Sequence, residues 1–121
     1  TLIGYGASTW TCLEAAEALA EEGVEAEVVD LRTLTPLDET TVVESVRRTG
    51  RALVVHEACE TAGFGAEVVA RLADAAFAWL DAPVRRVAYP DRPVPYAKVL
   101  EQELLPSRDK VLAAARELLE F

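Results

Sequence analysis

The chain has 121 residues, 51% of them hydrophobic, which is enough to bury a real core and sits in the range of one compact domain, taken as residues 1–121. Its formal charge of -9 argues against nucleic acid, because neutralising a phosphate backbone needs a surplus of Lys and Arg on one face, and favours a basic protein partner. No apolar run approaches the roughly 20 residues that cross a bilayer, and no secretory leader pattern opens the chain, so no membrane association and a cytoplasmic location are expected. Cys12 and Cys59 lie far apart and His56 is the only histidine, which supports neither a disulfide framework nor a His/Cys metal site. Thr1 is no initiator residue and Met is absent throughout, so the chain is expected to be a processed protein or a piece of a longer one.

In chain order, Leu2-Ile3-Gly4-Tyr5-Gly6 reads as a buried strand stopped by glycines. Thr11-Cys12-Leu13-Glu14 has the form of a capping box and predicts a helix that starts there, with Leu13, Ala16, Leu19 and Ala20 on its apolar side and Gly23 as its stop. Ala26 to Leu31 predicts a second strand. Thr35-Pro36-Leu37-Asp38 predicts a helix start with Thr35 as the cap, followed by Val42, Val43 and Val46 facing inward and Gly50 at the end. Ala52 to Val55 predicts a third strand running into His56-Glu57, and Thr61-Ala62-Gly63-Phe64-Gly65 leads to a helix burying Val68, Val69, Leu72, Ala76 and Trp79. Arg85 to Tyr89 predicts a fourth strand. Pro90, Pro93 and Pro95 keep the next stretch extended, and Ser107 caps a last helix with Val111, Leu112, Ala115, Leu118 and Leu119 inward, ending at Phe121. Strands alternating with helices predict an α/β fold: three layers, doubly wound, with a mostly parallel sheet.

The chemistry-bearing residues are few. Gly4-Tyr5-Gly6-Ala7-Ser8-Thr9 matches neither GxGxxG nor a P-loop, and a structural turn is the preferred reading; close backbone packing at a helix start is preferred for Gly63-Phe64-Gly65. His56 is the one side chain with an unperturbed pKa near neutrality and is the weak catalytic candidate, alone and with no nucleophile elbow. A histidine that hydrogen-bonds to hold a loop or an interface is the preferred reading. Glu14, Glu17, Glu21 and Glu22 fall on the wet side of a helix, their ordinary place.

Four ordered segments carry a family resemblance. Asp30-Leu31-Arg32-Thr33-Leu34-Thr35-Pro36-Leu37-Asp38 and Val54-Val55-His56-Glu57-Ala58 resemble the transketolase C-terminal domain family, and Thr61 to Glu67 with Pro90 to Tyr96 narrow the resemblance to beta chains of thiamine-diphosphate-dependent 2-oxo acid dehydrogenases of pyruvate or branched-chain type. The resemblance implies a sheet whose intact form has one more, antiparallel, edge strand, absent here. It implies a parent enzyme that decarboxylates a 2-oxo acid on thiamine diphosphate and Mg²⁺ and passes the acyl group to lipoamide, with no cofactor or metal bound by this domain, which alone is expected to be inactive. It implies partners too: a second beta chain, the alpha chain, and the small basic binding domain of the lipoyl acyltransferase, docked at an outer end that carries Asp81, Glu120 and Phe121. Cys59 stands where the family often has proline, and Ala62 where it often has glycine. The alternatives are the C-terminal domain of a transketolase or deoxyxylulose phosphate synthase, against which the Pro-Val-Pro-Tyr segment and the Pro106-Ser107 helix start speak, and a free-standing flavodoxin-like binding module.

Overall fold

The computed structural model describes all 121 residues. Four strands, β1 (Leu2–Gly4), β2 (Val28–Asp30), β3 (Leu53–Cys59) and β4 (Arg85–Tyr89), form one sheet in the order β2-β1-β3-β4. All three pairings are parallel, with Leu2 opposite Val28 on one side and Leu53 on the other. Five helices accompany them: α1 (Ala7–Glu21), α2 (Glu39–Thr49), α3 (Phe64–Ala75), α4 (Lys98–Leu104) and α5 (Arg108–Leu119).

Alternation along the strands divides the interior into two cores. Leu2, Leu53 and Val55 face α1 and α5, where they meet Cys12, Ala15, Leu19, Val111 and Leu118. Ile3 and Val54 face the opposite way, against Val42 and Val46 of α2 and Val68 and Leu72 of α3. Leu53, Val54 and Val55 are wholly buried, so three consecutive residues serve both faces, which explains a continuous apolar run where an exposed sheet would alternate. Each such side chain contributes about 1.5–3 kcal/mol relative to exposure.

The α/β, doubly wound expectation holds, but several boundaries move. α1 starts at Ala7, four residues ahead of Thr11, so Thr11-Cys12-Leu13-Glu14 is helix interior and caps nothing. The buried side of α1 is Ser8, Cys12, Ala15, Ala18 and Leu19; Leu13 and Ala20 are exposed, because starting from the wrong turn rotated the expected face. Gly23, at φ +82°, does stop the helix. α2 starts at Glu39 rather than at Thr35-Pro36, and its cap is Asp38, whose Oδ1 accepts from the Thr41 amide at 3.1 Å. Two hydrogen bonds from Thr41, one from its hydroxyl and one from its amide, hold the Asp38 carboxyl below its ordinary value.

α3 ends at Ala75, so Trp79 lies outside it in a single 3₁₀ turn (Phe77–Trp79), half exposed, with the Arg47 guanidinium 4.0 Å above its ring. β2 is shorter than Ala26 to Leu31, and β3 longer than Ala52 to Val55. α5 starts where Ser107 caps it, but Leu119 is exposed rather than inward. α4 has no counterpart in the sequence reading: none of its residues is buried, so no apolar periodicity marks it.

Candidate functional site

β1 leads outward to β2 while β3 leads the other way to β4, so strand order reverses between β1 and β3. Open α/β sheets bind ligands in the crevice at the carboxyl ends of the strands flanking such a reversal. Here Tyr5 leaves the end of β1 and His56 lies on β3. Their rings stack with centroids 5.9 Å apart and planes 9° from parallel, and Phe64 closes edge-on to Tyr5 at 6.2 Å. The crevice is thus filled by the chain's own aromatic side chains, drawn from three different elements.

His56 is fully buried. Neither ring nitrogen has a hydrogen-bond partner within the chain, and the ring meets its neighbours there by packing. Burial lowers its pKa, the nearby Arg86 charge lowers it further, and the Ala58 backbone opposes the shift without closing a hydrogen bond. At neutral pH the ring is neutral. Glycines make its slot. A Cβ at Gly63 would stand 2.9 Å from His56 Cε1, and one at Gly65 would fall inside the van der Waals radii of Nε2 and Cδ2. Close packing at the α3 start is therefore what Gly63-Phe64-Gly65 provides, as read from the sequence.

The connection between β3 and α3 is tied down at several points. Between Val55 and Cys59 the β3–β4 register shifts, since β3 advances four residues while β4 advances two from Val87 to Tyr89. Such irregularities redirect side chains at strand ends. Arg86 Nη1 donates to the Glu60 carbonyl at 2.6 Å, and the Thr61 amide donates to Asp91 Oδ1 at 3.0 Å while its hydroxyl donates to Asp91 Oδ2. These two hydrogen bonds hold the Asp91 carboxyl below its ordinary value, the hydroxyl contributing most. Ala62 sits at φ +60°, the left-handed region, where glycine is the unstrained residue. Sequence reasoning singled out this loop through Cys59 and Ala62 but missed the parts played by Phe64 and Arg86 and the hydrogen bonds between Thr61 and Asp91. Only the glycine pair signalled a close approach, without saying of what.

The second predicted set lies at the other end of the sheet. Asp81 donates its amide to the Gly50 carbonyl at 2.8 Å, and its Oδ2 is 3.5 Å from Arg51 Nη1. Arg51 Nε donates to the Leu118 carbonyl at 2.9 Å. Arg51 therefore connects Asp81 to the last turn of α5, beyond which Glu120 and Phe121 are exposed. His56 is not part of this group. A hollow of about 110 Å³ also lies at this end, lined by Leu2, Leu19, Val24, Leu53 and Leu118 among others, away from His56. No group of three or more His, Cys, Asp or Glu side chains is arranged to hold a metal ion, and no helix is long and apolar enough to cross a membrane.

Residues 1–111 match the family described as transketolase, C-terminal domain. The chain belongs to that family. It is 49% identical over its whole length to the pyruvate dehydrogenase E1 component subunit beta of Bacillus subtilis (strain 168), spanning 37% of that protein. It is 42% identical over 98% of its length to the acetoin:2,6-dichlorophenolindophenol oxidoreductase subunit beta of the same organism, spanning 35% of it. A solved chain described as a split gene transketolase, inactive beta4 tetramer, superposes with a TM-score of 0.77 at 28% identity, over 98% of this chain and 37% of that one. This transketolase C-terminal domain therefore spans little more than a third of the relatives it matches. Family membership decides against the flavodoxin-like module. Asp81 lies within the matched residues, whereas Glu120 and Phe121 follow them.

Proposed function

We propose that this domain is the C-terminal part of the beta chain of a thiamine-diphosphate-dependent 2-oxo acid dehydrogenase, in which it joins subunits and docks the acyltransferase component. One observation carries this reading: the similarity to the pyruvate dehydrogenase beta subunit runs from the first residue to the last at 49% identity. The parent enzyme decarboxylates a 2-oxo acid and transfers the acyl group to lipoamide. Thiamine diphosphate, anchored through Mg²⁺, would supply the electron sink for that decarboxylation. On this reading, binding of both cofactors falls to other parts of the enzyme.

This domain's share is contact with a second beta chain, with the alpha chain, and with the basic binding domain of the lipoyl acyltransferase. For the last, Asp81, Glu120 and Phe121 form the proposed docking surface. Support comes from their common end of the sheet, the Arg51 link between Asp81 and α5, and the charge of -9, which complements a basic partner and speeds its encounter. The similarity to an acetoin oxidoreductase subunit, at 42% identity, favours a second reading in which the parent enzyme oxidises acetoin instead. That reading leaves the domain's assembly role unchanged.

The docking surface is tested by calorimetric titration of the chain with a lipoyl acyltransferase binding domain at low and high ionic strength. Asp81→Asn and a short extension after Phe121 each weaken binding, and so does salt. Affinity indifferent to both changes and to salt moves the docking surface elsewhere.

A further inference from the structure

His56 lies outside the proposed docking surface, and three observations describe its surroundings. Its ring is wholly buried with two nitrogens lacking partners, it is pressed between Tyr5 and the glycines that open α3, and it lies where β3 departs from register with β4. Neutral imidazole leaves one donor and one acceptor unpaired in this slot. Imidazolium would leave two donors unpaired and a buried charge uncompensated, a far costlier state.

We infer that His56 is a proton-released latch on the connection between β3 and α3: neutral, its ring wedges residues 60–63 and the first turn of α3 in place, and on protonation the ring leaves the slot and that segment opens.

The charged and titratable neighbours all fit release rather than retention. From β4, Arg86 presents a positive charge that an imidazolium would oppose, and the same guanidinium holds the Glu60 carbonyl. From the turn after β1, Tyr5 stacks on the ring, and burial followed by the Glu57 charge raises its pKa, so it carries no negative charge at neutral pH. From the start of α3, Gly63, Phe64 and Gly65 offer no charge, and the nearest acid of that helix, Glu67, is paired with Arg71 at 2.8 Å. On β3 itself, Glu57 and Cys59 flank the slot with exposed side chains. Glu57 therefore gives an expelled imidazolium an anionic neighbour in solvent, which the slot itself does not contain. The connection has the construction of a movable element: Ala62 carries a left-handed strain, its side-chain ties, from Arg86 and Asp91, are exposed, and one backbone bond, from the Glu60 amide to the Tyr89 carbonyl at 2.8 Å, joins its start to β4.

The direction of the pH effect follows from linkage. The folded pKa lies below the ordinary value of about 6.5, so the open state binds more protons, and closure is fully favoured above that value and lost as pH falls through it. If the closed ring stays neutral, the opening equilibrium of the connection rises up to about thirtyfold between about pH 8 and pH 5.

The test uses the 121-residue chain, in which His56 is the only histidine and its ring proton resonance is unambiguous. Amide hydrogen exchange of residues 60–66, corrected for the intrinsic pH dependence of exchange, is compared with that of Leu53, Val54 and Val55 in the same samples. The wild type shows exchange at residues 60–66 rising toward low pH while the strand amides stay protected, and His56→Gln, which cannot gain the proton, shows no such rise. Flat exchange in the wild type overturns the latch. So does a ring that titrates at the ordinary histidine value without any change in exchange, a rise that persists in His56→Gln, or strand amides that open in step with the connection.

Discussion

Replacing Gly65 by alanine tests whether the His56 slot is as rigid as its geometry implies. Gly65 is the second residue of α3, has no left-handed φ, and on helix propensity alone gains up to about 1 kcal/mol from alanine. The added methyl carbon would lie within van der Waals contact of His56 Nε2 and Cδ2, with Cε1 at 3.2 Å. The ring cannot retreat freely, because Tyr5 stacks on it. Overpacking of this kind costs typically 1–3 kcal/mol or more and exceeds the propensity gain, so Gly65→Ala lowers stability by about 1–3 kcal/mol. Urea denaturation followed by far-ultraviolet circular dichroism reads this as a lower midpoint at unchanged slope. A double-mutant cycle with His56→Ala assigns the cause: removing the ring opens the space, and the alanine at position 65 then costs little or stabilises. Coupling of at least about 1 kcal/mol is expected, well above the 0.3–0.5 kcal/mol within which independent sites add. A neutral or stabilising Gly65→Ala with His56 present, or additive effects in the cycle, refutes the tight slot.

Two further outcomes follow from single residues. Ala62→Gly relieves the left-handed strain at φ +60°, worth about 1–2 kcal/mol, against an entropic cost of about 0.5–1 kcal/mol, and should raise the thermal midpoint by a few degrees; an unchanged or lower midpoint contradicts it. Burial pushes the Cys12 thiol up to about 12, whereas Cys59 is exposed, so an alkylating reagent at neutral pH should modify Cys59 in the folded chain and reach Cys12 only after denaturation; mass spectrometry of peptides distinguishes the two.

Local signals placed the strands and the two glycine helix stops well. Three buried strand residues in a row, Leu53-Val54-Val55, announce a sheet covered on both sides, and Gly23 and Gly50 end their helices at positive φ as their lack of a Cβ permits. Helix starts were less legible, since Thr11 and Thr35 are chemically able to cap and only the path of the chain selects Gly6 and Asp38 instead. α4 left no trace because a helix without a buried face has no periodicity to read.

The candidate sites divide along the same line. Sequence alone determined the residue types, the acidic balance, the glycine pair and the ordered segments that place the chain in its family, because all of these are properties of neighbours along the chain. That the His56 ring is pressed against Gly65 and Tyr5, that Arg86 reaches the Glu60 carbonyl, and that Arg51 ties Asp81 to the end of α5 were decided only by the tertiary structure. Apart from His56 on Gly65, which joins consecutive elements, these contacts link segments far apart in sequence. The parallel crossovers and the register of β3 against β4 bring them together, and no local pattern encodes that register.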